Sequence, residues 1–112
     1  MRLSIWKAQT FADRIRGLIG CPPIVEGRGL WLPTCRWVHT FLMLTELDVI
    51  SIDCSGRVVL VLNRFSRRRI KIFPKSVYGI IEMRAGEASR LGIFAGIHVR
   101  FDELSSRSDL YT

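Results

Sequence analysis

The order of apolar and polar side chains predicts a series of short strands interrupted once, near the start, by a helix. Leu3 and Ile5 alternate with Ser4 and Trp6, the period of two that a half-buried strand requires. Phe11, Ile15, Leu18 and Ile19 then recur at helical spacing behind a capping Thr10, with Asp13 three positions later and Gly20 at the end. Cys21-Pro22-Pro23 forbids continuation, because proline removes the helical N–H and clashes with the preceding turn.

Beyond this point strand signals dominate. Turn residues at Glu26-Gly27-Arg28-Gly29 precede Leu30-Trp31-Leu32, and Pro33-Thr34 marks a break. Trp37 to Met43, Leu47 to Asp53 and Arg57 to Asn63 read as successive strands, the last two joined through Cys54-Ser55-Gly56. Asp53 is suited to open that turn, since its side chain can accept nearby backbone N–H groups. Residues 65 to 74 form a basic loop or edge strand, Val77 to Met83 a further strand, Glu87 to Leu91 a short helical turn, and His98 to Phe101 the last strand. Many short strands, one early helix and no βαβ alternation predict a mainly β fold: an antiparallel β-sandwich or barrel with one short N-terminal helix.

Composition narrows the classes. The chain has 112 residues, 48% of them hydrophobic and 24% charged, enough for one core and too few residues for two. Residues 1 to 104 are expected to form a single domain, and residues 105 to 112 a frayed tail. No apolar run approaches the roughly 20 residues of a membrane-spanning helix, and Arg2, Lys7 and Asp13 interrupt any signal-peptide core, so the cytoplasm is the expected compartment. Cys21, Cys35 and Cys54 include no CxxC pair and read as reduced thiols. A net charge of +7 favours anionic surfaces without specifying one.

Within a strand, Trp37, His39, Phe41 and Met43 share one face and Val38, Thr40 and Leu42 the other, and both faces read as buried. Asp48 shares its side with Ile50 and Ile52, while Glu82 lies beside Ile80 and Tyr78, so both carboxyl groups are expected to turn inward and to need donors. His39, Asp48 and Glu82, with Arg14 from the helix, form the candidate polar constellation. It can cross-link strands through hydrogen bonds, or supply an acid/base pair, since imidazole titrates near neutrality. Cys35, His39 and Asp48 have no recognised metal-ligand spacing, and neither a metal nor a cofactor is expected. Arg64, Arg67, Arg68, Arg69, Lys71 and Lys75 make the one concentrated basic segment, interleaved with Phe65 and Phe73. Such a segment can bind anions or nucleic acid, or can serve as a charged edge that discourages aggregation.

Val38-His39-Thr40-Phe41-Leu42-Met43, followed by Leu47-Asp48-Val49-Ile50-Ser51-Ile52-Asp53, resembles the central signature of the domain of unknown function 192 family. Thr10, Arg14, Gly17-Leu18 and Gly20 upstream, and Gly56-Arg57-Val58, Ile81-Glu82-Met83 and Ala85-Gly86 downstream, fall in that family's order, so the resemblance spans residues 3 to 101. It implies a β-sandwich-like domain and confers no known activity. Members often follow a secretion signal or membrane anchor, and none is legible here. Leu42 stands where Gly is common, Leu44 where a basic residue is common and Glu46 where Pro is common. Leu44 thereby removes the basic group that an inherited anion contact at that position would use.

No motif specifies a reaction. The leading expectation is a noncatalytic ligand-binding or accessory module, monomeric, with a small cleft around Arg14, His39, Thr40, Met43 and Asp48, serving an unidentified small ligand or protein partner. One alternative is a small hydrolase or isomerase using His39 with Asp48 or Glu82, and another is association of Arg64, Arg67, Arg68, Arg69 and Lys71 with nucleic acid or an acidic surface.

Overall fold

The structure, a computed structural model, describes residues 1–10, 23–39, 45–66 and 69–112. Among these the order is β1 (Arg2–Lys7), β2 (Arg28–Pro33), β3 (Trp37–His39), β4 (Leu47–Ile52), β5 (Val58–Phe65), β6 (Ile70–Ile72), β7 (Gly79–Arg84), α1 (Glu87–Leu91), β8 (Arg100–Glu103) and a 3-10 turn over Arg107–Leu110. The fold is mainly β, as the alternation predicts. The expected helix over residues 10 to 20 and the continuation of the third strand past His39 lie outside the described residues.

Six strands form one sheet in the order β5-β4-β7-β2-β1-β8, and β3 pairs with β6 in a separate two-stranded sheet. The sheet is mixed, which corrects the expectation of antiparallel pairing throughout. β1 runs parallel to both β2 and β8, whereas β2–β7, β7–β4 and β4–β5 are antiparallel. Parallel neighbours need a long return connection, and the chain between Lys7 and Arg28 provides one. Side-chain alternation is the same in either direction, so it could not reveal this.

The central strands are buried on both faces. Every residue of β4 is buried, with Leu47 and Val49 in one apolar cluster and Ile50 and Ile52 in the other. Val38 of β3 and Phe73 just after β6 join Leu30, Leu32, Val49 and Ile80 in the first cluster, so the small sheet covers that face. Ala88, Ile93 and Val99 join Leu3, Ile5, Trp31, Ile81 and Met83 in the second. Gly79 is required there, because a Cβ at that position would lie 2.4 Å from the Trp31 ring and 2.7 Å from the Leu32 carbonyl oxygen.

The two edges of the large sheet meet near one end. Val58 donates to the Ile97 carbonyl at 2.8 Å, and Gly96 and Val99 donate to the carbonyls of Val58 and Gly56, each at 2.8 Å. β5 and β8 themselves do not pair.

The C-terminal residues, expected to fray, are packed instead. Leu110 is fully buried in the first cluster and its carbonyl accepts the Val25 N–H at 2.8 Å. A capping box between Ser106 and Asp109 starts the 3-10 turn, and the Arg107 guanidinium lies 5.4 Å from the centre of the Trp6 ring. A single apolar residue in a short polar segment carries almost no periodic signal, which is why this packing was not legible.

Candidate functional site

Alternation along β4 sends the Asp48 side chain to the Ile50 and Ile52 face, where it is fully buried. Its Oδ1 accepts the Arg64 backbone N–H at 2.8 Å, and Oδ2 accepts those of Gly86 at 3.0 Å and Ala88 at 2.8 Å. Three donors on two oxygens satisfy a carboxylate that burial would otherwise make very costly. The contacts tie β4 to the end of β5 and to the start of α1. Two of the donors have left-handed backbones, Arg64 at φ 50° and Gly86 at φ 94°. For a non-glycine residue that conformation needs support from its surroundings, and the bond to Asp48 supplies it at Arg64.

Glu82 leaves β7 on the other face. It stands directly opposite Leu30 of β2 and Val49 of β4 and is almost fully buried, and among the described residues its Oε2 has no hydrogen-bond partner. Burial pushes its carboxyl up to about 7, partly offset by the positive charge of Arg107. Glu82 is therefore a group that titrates near neutrality inside an apolar layer.

The proposed polar constellation is not brought together as a whole. Asp48 is paired with Met83, and Val49 with Glu82, so the two carboxyl groups project to opposite sides of the sheet. The backbone of His39 pairs with Ile70 in the small sheet. Arg14, Thr40, Met43, Arg67 and Arg68 lie outside the described residues. Cys35 packs against the first cluster while Asp48 lies among the second, so these two candidate ligands are on opposite faces. Among the described residues no three His, Cys, Asp or Glu side chains converge. Trp37 is 47% exposed, which corrects the expectation that both faces of its strand are buried.

A cleft of about 390 Å³ opens at the end of the sheet where Asp48 makes its contacts, lined by Pro23, Thr45, Glu46, Arg64, Arg84 and Ala85. Thr45 and Glu46 directly follow the segment His39 to Leu44 in the chain. Arg64 and Arg84 are both exposed, and the Arg64 guanidinium lies beside Gly86. A second groove, of about 510 Å³, includes Asp53, Arg57, Ser76 and Gly96 in its wall. Asp53 opens its turn by accepting the N–H groups of Ser55 at 2.9 Å and Arg57 at 3.0 Å, and the Ser55 hydroxyl at 2.6 Å. These bonds, the Ser55 hydroxyl foremost, hold its carboxyl below the ordinary aspartate range.

Two residues near the site escaped the sequence reading. Glu87, at the start of α1, is buried, accepts the Gly27 N–H, and receives the Arg90 Nε at 2.6 Å. The Arg90 hydrogen bond, ahead of a smaller one from Gly27, keeps its carboxyl below the usual glutamate range. The three-residue spacing from Glu87 to Arg90 was the available signal. Arg84 ends β7 facing the cleft, and only its place beside Ala85-Gly86 hinted at a turn there.

A six-stranded mixed sheet, capped on one face by a two-stranded sheet and tied at one end by a buried aspartate, defines the class: a small mainly β domain. The chain belongs to the family DUF192, described as Uncharacterized ACR, whose model matches residues 1–101. The fold is shared with a protein of unknown function from Novosphingobium aromaticivorans DSM 12444, with a TM-score of 0.73 at 20% identity over 82% of this chain and 70% of that one. It is also shared with a protein described as a candidate transcription regulator from Sinorhizobium meliloti 1021, with a TM-score of 0.76 at 19% identity over 84% of this chain and 78% of that one. Comparison with curated proteins finds no match.

Proposed function

We propose that this domain is a noncatalytic binding or accessory module whose cleft beside Thr45 and Glu46 takes a small anionic group, a carboxylate or a phosphate. The observation that carries the reading is the presence of Arg64 and Arg84 in one cleft wall, with the Arg64 backbone held by buried Asp48. Guanidinium groups present paired donors that match the geometry of carboxylate and phosphate oxygens. Glu46 in the same cleft supplies a counter-charge, which favours a small ligand over a highly charged one. In this reading Asp48 positions the wall and does not touch the ligand, because its oxygens already accept three backbone donors. Arg14, His39, Thr40 and Met43 remain proposed members of the same site. The scaffold is read as a partly closed barrel, on the strength of the hydrogen bonds joining residues 56 to 58 with 96 to 99.

Titration of the full chain with phosphate and with succinate, followed by backbone amide shifts, tests this. Saturable shifts at Arg64, Arg84 and Ala85, absent from an Arg84→Ala protein that keeps its fold, are the expected result. Shifts that stay linear with concentration, or that persist unchanged in Arg84→Ala, would defeat it.

An acid/base enzyme is the second reading, and one observation favours it: a Glu82 carboxyl at about 7 lies in the range a general acid or base needs. It would use Glu82 rather than Asp48. Neither described cleft is lined by Glu82, so the binding module is preferred.

A further inference from the structure

We propose that the outer face of the two-stranded sheet, formed by Trp37, Ile70 and Ile72 and carried on a basic stretch of the chain that includes exposed Arg36 and Arg69, docks onto an anionic lipid bilayer. Trp37 stands directly opposite Ile72 in the register, and Ile70 is two residues from Ile72, so all three side chains leave the same side of the sheet. They are 47%, 59% and 73% exposed. Three large apolar side chains gathered on one surface mark an interaction site more often than isolated ones do. Beneath them Val38 and Phe73 are buried in the core, and the Phe73 N–H bonds the Arg36 carbonyl at 2.7 Å, so the face rests on a packed support.

The stretches of chain that build this face carry charge of one sign. β3 and β6 come from two stretches, residues 27 to 45 and 54 to 81, that contain no aspartate or glutamate. Arg36 and Arg69, next in sequence to Trp37 and Ile70, are exposed, and the Arg69 guanidinium lies 5.8 Å from the centre of the Phe65 ring; half-buried Lys71 stands opposite buried Val38 and so leaves the inner side of the sheet. Arg67, Arg68 and Lys75 belong to the same acid-free stretch.

Apolar chemistry selects the partner. Tryptophan favours the headgroup level of a bilayer, aliphatic side chains enter the acyl boundary, and lysine and arginine bind anionic headgroups at its surface. Single-stranded nucleic acid would use the arginines and Trp37, but isoleucine has no aromatic face on which a base can stack. A second copy of this chain would bring the basic stretches holding Arg36 and Arg69 against their own counterparts or nearby like charges. The inference does not depend on the cleft at Arg64 and Arg84.

The test is sedimentation of the full chain with phosphatidylcholine vesicles, with and without phosphatidylglycerol. Binding is expected only where phosphatidylglycerol is present, weakening with salt. Ile70→Ser together with Ile72→Ser, which leaves the charge unchanged, should weaken it about tenfold, the loss expected when roughly 1.4 kcal/mol of apolar insertion is removed. Lipids brominated along their acyl chains should quench tryptophan emission in the wild type and less so in Trp37→Phe. Circular dichroism checks the fold, and Ile72→Ser alone replaces the double variant should that fail to fold. The proposal is overturned by absence of vesicle binding at low salt, or by binding that the serine variants leave unchanged. It is equally overturned by a solution dimer that those variants dissolve, or by tighter binding to a single-stranded RNA than to the vesicles.

Discussion

Asp48 and Glu82 occupy adjacent central strands one register step apart, yet their carboxyl groups leave the sheet on opposite faces and meet opposite treatment. Asp48 accepts three backbone N–H groups, whereas Glu82 lies between Leu30 and Val49 with one oxygen that no described residue partners. Both Asp48 oxygens are engaged by backbone donors, whereas burial favours the neutral acid at Glu82.

Replacing Asp48 with Ala strands three buried or partly buried backbone donors. Each unsatisfied group costs about 1 to 3 kcal/mol, so a loss of about 3 kcal/mol or more is expected. Asp48→Asn keeps the shape and some acceptor capacity and should lose less. Urea unfolding of both variants measures this; a loss of under about 1 kcal/mol in Asp48→Ala would show that the contacts do little to hold the fold.

Glu82 makes stability depend on pH in a stated direction. Its folded pKa of about 7 lies above the ordinary glutamate value of 4.5, so between these values the folded state binds more protons than the unfolded one. Stability should therefore fall as pH rises from about 4.5 through about 7 and level off above, by roughly 3 kcal/mol from this group. Glu82→Gln should flatten that slope and raise the melting temperature at pH 8. Thermal melts of both proteins across this range provide the comparison, and parallel curves would remove Glu82 as the cause.

Gly79→Ala should destabilise although both residues are small. The added methyl meets the Trp31 ring and the Leu32 carbonyl at distances that force one of them to move, and overpacking of this kind costs about 1 to 3 kcal/mol. Chemical denaturation together with Trp31 emission would register the shift, and an unchanged midpoint would contradict it.

Leu110→Ala separates a packed C-terminal turn from a frayed one. A buried leucine cut to alanine costs about 2 to 5 kcal/mol, while in a loose tail the change is neutral. Denaturant unfolding of the full-length variant decides between them.

The strands were legible because β4, β5 and β7 combine apolar runs with turn residues at their ends. The Asp53 turn was equally plain, since its residue types dictate their local bonds. The inward positions of Asp48 and Glu82 also followed from alternation within each strand. That they face apart did not, because which residue of β7 stands opposite Asp48 is set by register between strands distant in sequence. The cleft was hidden for a similar reason: Glu46, Arg64 and Arg84 are separated along the chain and meet only through the Asp48 contacts and the turns they hold.

The parallel pairing of β1 with β8 has a consequence for biosynthesis. β1 emerges ahead of the other described strands, but one of its edges waits for Arg100 to Glu103, the strand made after all of them. Until then an apolar ribbon carrying Leu3 and Ile5 lacks its final neighbour, so closure of the sheet is a late, long-range event. A nascent chain stalled before residue 100 should remain sensitive to proteases and dependent on chaperones, however complete its central hairpins are.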